Sequence, residues 1–198
     1  LGVASQSVNP YGSSTADMIR KAFIIGEIMK LCKSYRSTFE ITDFSQRIQT
    51  NHELEPIIRH GEPPAILRFE DVKQEILGIF SIISSFKKSG YTSLGIVCKT
   101  ETPARELSAS LRVHPGDIHF LSNQNSAFMK GIIVTSSHMA KGLEFDEVIV
   151  PYVNGKNYNS AIDKSMLYVA VTRAMHRLTL TYNGRPSEFI PASSDQNF

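Results

Sequence analysis

Short, almost continuous apolar runs recur along this chain and limit the folds open to it. Five such runs occupy residues 94–98, 118–121, 131–135, 148–150 and 178–182. Runs this short and this apolar are typical of parallel strands covered on both faces. Segments with helical character lie between them, so the alternation predicts an α/β fold with a doubly wound parallel sheet. In such sheets ligands bind beyond the carboxyl ends of the strands.

Capping residues predict where two of the helices begin and end. Asp71 has the spacing of a helix start, apolar residues then recur with helical periodicity, and Gly90 ends the segment. A second helix is predicted from Thr102 as cap and Pro103 in the first turn, continuing through Leu111. The first helix precedes the predicted strand at 94–98, and the second lies between that strand and the next, as the α/β pattern requires.

Composition fits a single soluble domain with a sizeable core. The 198 residues are 41% hydrophobic and 20% charged, and the net charge of +2 is too small to indicate nucleic-acid binding by itself. No apolar run approaches the roughly 20 residues needed to cross a bilayer. We therefore expect no membrane partner, a cytoplasmic location, and a reduced, buried Cys98 in its apolar strand.

The ends of the chain predict its domain organisation. It starts at Leu1 rather than methionine, in a Gly/Ser/Asn-rich segment, so we expect a piece of a longer protein. We expect residues 1–13 to be a linker or the tail of a preceding domain, 14–191 to form one domain, and 192–198 to be a disordered tail. The sequence holds no Gly-x-x-x-x-Gly-Lys-Ser/Thr loop, the motif that cradles phosphates in many nucleotide-binding proteins.

Arg36 stands directly before a predicted helix. Ser37 and Glu40 have capping-box spacing, which would place free backbone N–H groups beside the guanidinium. Such N–H groups and a guanidinium together can hold a phosphate. A surface arginine beside an ordinary capped helix is the alternative.

Residues 136–144 connect two predicted strands and carry several polar groups. Three hydrogen-bonding side chains follow the first of these strands: Ser136, Ser137 and His138. Such groups suit contacts to a nucleic-acid backbone, and Glu144 could accept hydrogen bonds from a ribose hydroxyl. Gly142 turns the chain towards the next strand. Taken singly, each residue also fits an ordinary exposed loop, and no Cys/His/Asp/Glu cluster suggests a metal site.

Arg173 closes a largely apolar helix that Ser160 and Asp163 are predicted to cap. An arginine at the end of a buried helix needs an anion or water, because an unpaired buried charge is costly. An intramolecular salt bridge would satisfy it, and an anion from outside the domain would do so equally well.

Four blocks together resemble motifs of the UvrD/Rep family of superfamily 1 helicases, and they occur in the family's order. The blocks are Gly-Val-Ala-Ser-Gln-Ser-Val at 2–8, Tyr-Arg-Ser at 35–37, Ala-Lys-Gly-Leu-Glu-Phe at 140–145 and Tyr-Val-Ala-Val-Thr-Arg-Ala at 168–174. The first block departs from the family at Val3, where an acidic residue is usual, and an ordinary solvated loop is its alternative.

The resemblance implies a RecA-like domain of the P-loop NTPase type, the second of two in a motor. It assigns nucleotide contacts to Gln6, Arg36, Gly142, Glu144 and Arg173. Of these, the two arginines would act catalytically on the γ-phosphate of ATP, with Arg173 as an arginine finger. It assigns contacts with single-stranded DNA to Tyr11, which would stack on a base, and to Ser136, Ser137 and His138.

The same resemblance implies partners outside this chain. An amino-terminal RecA-like domain would carry the phosphate loop and bind ATP with Mg²⁺, so the isolated chain should be inactive while the full-length protein acts as an ATP-dependent DNA helicase. About 100 residues separate the second and third blocks. That layout is similar to helicase IV-like (HelD-like) proteins, some of which act on RNA polymerase. The alternative is a non-catalytic RecA-like adaptor that binds DNA or RNA polymerase.

Overall fold

The computed structural model describes residues 33–34, 37–50, 55–56, 59–112, 118–122 and 131–191. These residues form eight strands and four helices. In chain order they are β1 (Lys33–Ser34), α1 (Phe39–Ile48), β2 (Glu55–Pro56), β3 (Ala65–Phe69), α2 (Val72–Phe86), β4 (Ser93–Cys98), α3 (Glu101–Leu111), β5 (Ile118–Phe120), β6 (Gly131–Ser136), β7 (Phe145–Val150), α4 (Ala161–Val171) and β8 (Ala174–Asn183).

Strands β3 to β8 form one sheet in which every neighbouring pair is parallel. The strand order is β3-β8-β7-β4-β6-β5, and β1 and β2 form a separate two-stranded parallel sheet. The predicted parallel α/β architecture is therefore confirmed. The chain leaves β4 towards β5 on one side and leaves β7 towards β8 on the other, so the direction of winding reverses between β4 and β7.

The helices cover both faces of the six-stranded sheet, as predicted. Helices α1 and α4 pack on one face against residues such as Val97 and Ile133. Helices α2 and α3 pack on the other face against Ile96 and Ile132. Because side chains alternate across a strand, consecutive apolar residues of one strand enter both cores. The apolar runs are therefore almost unbroken, and Cys98 is buried within one of them.

Two predicted helix starts are confirmed, and two need correction. Asp71 accepts a hydrogen bond from Gln74 N (2.8 Å), and Ser160 forms a capping box with Asp163. The capping box predicted for α1 is wrong, because the helix is capped by Thr38, which makes no side-chain cap bond. Helix α3 begins two residues earlier than predicted, with Thr100 at the cap.

The sequence missed β3 and placed the starts of β7 and β8 too late. Strand β3 is an edge strand and largely exposed, and Arg68 interrupts its short apolar run. Strands β7 and β8 carry polar residues near their starts, and two of these pair across the sheet: Arg177 Nη1 donates to Glu147 Oε1 at 3.3 Å. Cross-strand pairing of this kind stabilises a strand end without apolar burial.

Candidate functional site

The candidate residues lie at opposite ends of the parallel strands. We call the side of the sheet where the strands end the carboxyl edge, and the side where they begin the amino edge. Strand β6 ends at Ser136 on the carboxyl edge, whereas β7 begins at Phe145 and β8 at Ala174 on the amino edge. A six-residue strand spans roughly 20 Å, so residues 137–144 run from one edge to the other. The Ser-Ser-His segment therefore lies at the carboxyl ends of the strands, where ligands are expected. Gly142, Glu144 and Arg173 lie at the amino edge instead.

Arg173 is buried and held by its own domain. Its side chain donates to three oxygens: Nε to Val169 O (3.1 Å), Nη1 to Leu143 O (3.2 Å) and Nη2 to Thr172 Oγ1 (3.1 Å). The residue is 3% exposed. Two carbonyl oxygens and one hydroxyl oxygen thus accept these three bonds. The guanidinium consequently has a fixed orientation before any ligand arrives.

The turn before β7 fixes Glu144 beside that arginine. Gly142 has φ of 91°, a left-handed conformation that favours glycine. Leu143 N donates to Ala140 O (3.0 Å), and Phe145 N donates to Arg173 O (3.0 Å). Half-buried Glu144 lies between these two bonds. Its position is therefore set by the same hydrogen-bonded unit that holds Arg173.

The segment before α1 reaches the same edge. Ser37 Oγ donates to Ala174 O (2.6 Å), and Thr38 N donates to Met175 O (3.2 Å). Arg36 lies outside the described residues, as do Gln6 and Tyr11. Its neighbour Ser37, however, is bonded to the residue that follows Arg173. The Tyr-Arg-Ser and Thr-Arg-Ala blocks, 137 residues apart at Ser37 and Ala174, thus meet in the fold.

At the carboxyl edge the three predicted nucleic-acid contacts differ in exposure. Ser137 is fully buried, and both its N and Oγ donate to Cys98 O (2.8 and 3.1 Å). Ser136 is 5% exposed, and its Oγ accepts from Met139 N (3.4 Å). His138 is exposed. Of the three, His138 alone has an exposed side chain, while the two serines form hydrogen bonds within the turn that carries it and to the end of β4.

Sequence reasoning missed Lys99, which directly follows β4 where the winding reverses. Its Nζ pairs with Asp163 Oδ1 (3.0 Å), donates to Asn157 O, and lies 5.6 Å from the ring centroid of Tyr158. Burial alone would raise the pKa of Asp163, but hydrogen bonds from Asn159, Lys99 and Ser160 outweigh it and lower that pKa. The sequence offered one signal for this residue, namely a lysine placed immediately after an apolar strand. The pair fastens the start of α4 to the centre of the sheet.

A cleft of about 500 Å³ opens beyond β7 and β8. It lies between the segments 154–159 and 183–189, on the carboxyl edge.

Across the described parts of the chain, no three His, Cys, Asp or Glu side chains are grouped to hold a metal ion. No helix among those same residues is long and apolar enough to cross a membrane.

Comparison with known proteins agrees with this arrangement. Residues 131–181 match the family model of the UvrD-like helicase C-terminal domain. The fold is similar to the crystal structure of the C-terminal domain of a possible DNA helicase from Lactobacillus plantarum WCFS1. That match has 29% identity and a TM-score of 0.68, and it covers 79% of this chain and 92% of that one. Over residues 131–181 the chain is therefore similar to the UvrD-like helicase C-terminal domain.

Two further comparisons add no weight to that similarity. The chain also aligns with the arterivirus nonstructural protein 10 (helicase), at 14% identity and a TM-score of 0.42. That alignment covers 68% of this chain and 32% of the viral one. No curated protein matches the sequence. The family match itself spans β6 to β8, so it includes Ser136, His138, Gly142, Glu144 and Arg173 and excludes the segment before α1.

Proposed function

We propose that this UvrD-like domain supplies half of the active site of an ATP-dependent DNA helicase or translocase. ATP with Mg²⁺ would bind mainly to an amino-terminal RecA-like domain outside this chain. One observation supports the proposal above the others: the blocks at 37–38, 143–145 and 173–175 form a single hydrogen-bonded unit at the amino edge. A unit of this kind suits an edge that closes on a nucleotide held by a neighbouring domain.

In this proposal the amino edge stabilises the charge that develops on the transferred phosphoryl group. Arg173 acts as the arginine finger, Arg36 contacts the γ-phosphate, and Gln6 senses that phosphate. Glu144 accepts a hydrogen bond from the ribose, with Gly142 shaping its turn. Three of the bonds that Arg173 donates go to neutral oxygens. A phosphate oxygen is a stronger acceptor because it is charged, so exchange of one partner would be favourable on closure.

The carboxyl edge would follow a single DNA strand. Exposed His138 would contact the backbone, Ser136 and Ser137 would hold its turn in place, and Tyr11 would stack on a base. Residues 137–144 join this edge to the amino edge. Movement of the turn on nucleotide binding would therefore shift His138, which couples hydrolysis to translocation. A helicase IV-like layout, with RNA polymerase as a further partner, belongs to the same proposal.

The proposal is tested by measuring phosphate release from two proteins, the isolated chain and the full-length protein, each with and without single-stranded DNA. The isolated chain should release none above background, with or without single-stranded DNA, because it has no loop to hold a triphosphate. The full-length protein should hydrolyse ATP, and single-stranded DNA should stimulate it. Turnover at a motor-like rate, on the order of 1–100 s⁻¹, by the contaminant-free isolated chain would contradict the half-site model. An inactive full-length protein that still binds DNA would favour a non-catalytic adaptor.

A further inference from the structure

Arg59 connects the two blocks that meet at the amino edge. Its Nη2 donates to Met175 O (2.8 Å), two residues beyond Arg173. Its own carbonyl accepts from Phe39 N (2.8 Å), the first residue of α1. A single residue from the segment between α1 and β3 therefore binds both the start of that helix and the start of β8. Neither the sequence motifs nor the matched family region includes it.

Met175 O is the shared acceptor of this arrangement. It receives Thr38 N (3.2 Å) as well as the Arg59 guanidinium. A carbonyl oxygen has two lone pairs, so both bonds can form at once. Three segments that are distant in sequence thus converge on one backbone oxygen near Arg173.

The residues after Arg59 are fastened to α1 independently. Gly61 N donates to Glu40 Oε2 (2.8 Å), and His60 Nδ1 lies 2.8 Å from Glu40 Oε1. A Cβ at Gly61 would stand 2.6 Å from Thr38 Cγ2, which is too close for any other residue without a shift. We call residues 59–61 the clamp. Hydrogen bonds to α1 therefore hold the backbone of the clamp at Arg59 and again at Gly61.

We propose that Arg59 is a positioning residue for the nucleotide-facing arginine Arg173. This inference rests on the proposed function. Arg59 holds the Met175 carbonyl against the start of α1, and so fixes the distance between that helix start and the start of β8, which directly follows Arg173. Charge stabilisation by preorganised donors depends on such distances, and a misplacement of about 1 Å can cost about 10²-fold in rate.

The clamp affects geometry more than folding stability. Arg59 is exposed. Substitution to alanine would remove the bond to Met175 O but keep the backbone bond to Phe39. Surface substitutions of this kind usually change stability little. The expected defect of Arg59→Ala is therefore catalytic: a kcat lower by roughly 10- to 100-fold, with the KM for ATP almost unchanged.

The test uses the full-length protein with saturating single-stranded DNA. Arg59→Ala, Arg59→Lys, Arg173→Ala and the double variant Arg59→Ala/Arg173→Ala are compared for kcat, KM and Tm. Lysine can still donate to Met175 O, so Arg59→Lys should recover part of the lost rate. The matched control is Arg68→Ala, an exposed arginine at the opposite end of the sheet, which should retain wild-type kcat.

The double variant decides the assignment. If Arg59 acts through Arg173, the double variant should be no slower than Arg173→Ala alone. Fully additive losses would show that Arg59 acts on its own, and an unchanged kcat for Arg59→Ala would remove the role altogether. Either result would overturn the inference while a slow Arg173→Ala variant upholds the proposed function. A fully active Arg173→Ala variant would instead contradict the proposed function itself.

Discussion

The amide of Phe145 donates a 3.0 Å hydrogen bond to the carbonyl of Arg173. This bond joins the first residue of β7 to the residue before β8, and the Arg173 side chain returns a bond to Leu143 O. The two family motifs are therefore one structural unit. A substitution in either motif should therefore disturb the structure of the other, and Gly142 is the simplest residue at which to test the stability of this unit.

Gly142→Ala should destabilise the domain although there is space for the methyl group. Nothing lies within 4 Å of a Cβ there, so the cost comes from the left-handed backbone at φ of 91°. We expect a loss of about 1–2 kcal/mol in the free energy of unfolding, measured with urea. Gly90→Ala is the matched control, with equal space and no positive φ; it should be neutral or slightly stabilising. Equal effects of the two substitutions would show that backbone strain is not the cause.

Glu75→Ala should be among the most destabilising single changes. This carboxylate is fully buried on α2 and accepts bonds from Tyr152 N (2.8 Å), Thr181 Oγ1 (2.5 Å) and Asn183 Nδ2 (2.6 Å). Removing it leaves one buried and two partly buried donors without this acceptor, so we expect a loss of about 2–5 kcal/mol. Thermal unfolding measures it, with exposed Glu70→Ala as a control that should stay within about 0.5 kcal/mol of wild type. A small loss at Glu75 would mean that water replaces the carboxylate.

Low pH should reduce the free energy of unfolding of the domain, in part through protonation of Asp146. Burial would raise its pKa, but hydrogen bonds from Thr92 and Ser93 outweigh it and lower the pKa below that of an unfolded aspartate, about 3.9. The unfolded chain therefore takes up the proton at higher pH than the folded one. The stabilisation is complete well above pH 3.9 and is lost as the pH falls through the folded pKa. Unfolding free energies measured from pH 6 down to 3 should depend less on pH in Asp146→Asn; an identical slope would exclude this carboxylate as a source.

His138→Ala should separate DNA coupling from basal hydrolysis in the full-length protein. Exposed His138 is the proposed backbone contact, so the variant should bind single-stranded DNA more weakly and lose more DNA-stimulated ATPase than basal ATPase. Binding by the unsubstituted protein should be independent of sequence, sensitive to salt, and stronger for single strands than for duplex. Fluorescence anisotropy and phosphate release on one preparation provide both readouts. Equal loss of both rates at unchanged DNA affinity would place this turn in the nucleotide pocket alone.

The sequence predicted what depends on local pattern. Apolar runs identified β4 and β6 closely, since both are buried on two faces, and the caps at Asp71 and Ser160 were correct because their partners lie three residues away. It failed where partners come from distant segments. Ser37 Oγ bonds to Ala174 O, so it does not make the capping bond that local spacing suggested, and Ser137 Oγ bonds to Cys98 O, 39 residues away.

The candidate site shows the same contrast between local patterns, which the sequence reveals, and contacts between distant segments, which it does not. Family motifs marked Gly142, Glu144 and Arg173, but the edge on which they lie follows from the strand order, which no local pattern encodes. The contacts of Arg59 were beyond sequence reasoning for a similar reason. Its partner Met175 is 116 residues away, and the bond is to a backbone oxygen, which leaves no trace in residue type.

The kcat of the full-length Arg173→Ala variant, with single-stranded DNA present, tests the central claim most directly. Because three intramolecular bonds of Arg173 are also lost, Tm is measured on the same preparation to confirm that the variant is folded at the assay temperature. If Arg173 is an arginine finger, kcat should fall by about 10³–10⁵-fold while ATP still binds. Arg173→Lys should restore little, because an ammonium cannot reproduce the planar fork. A folded Arg173→Ala variant with kcat within about twofold of wild type would show that Arg173 is only structural.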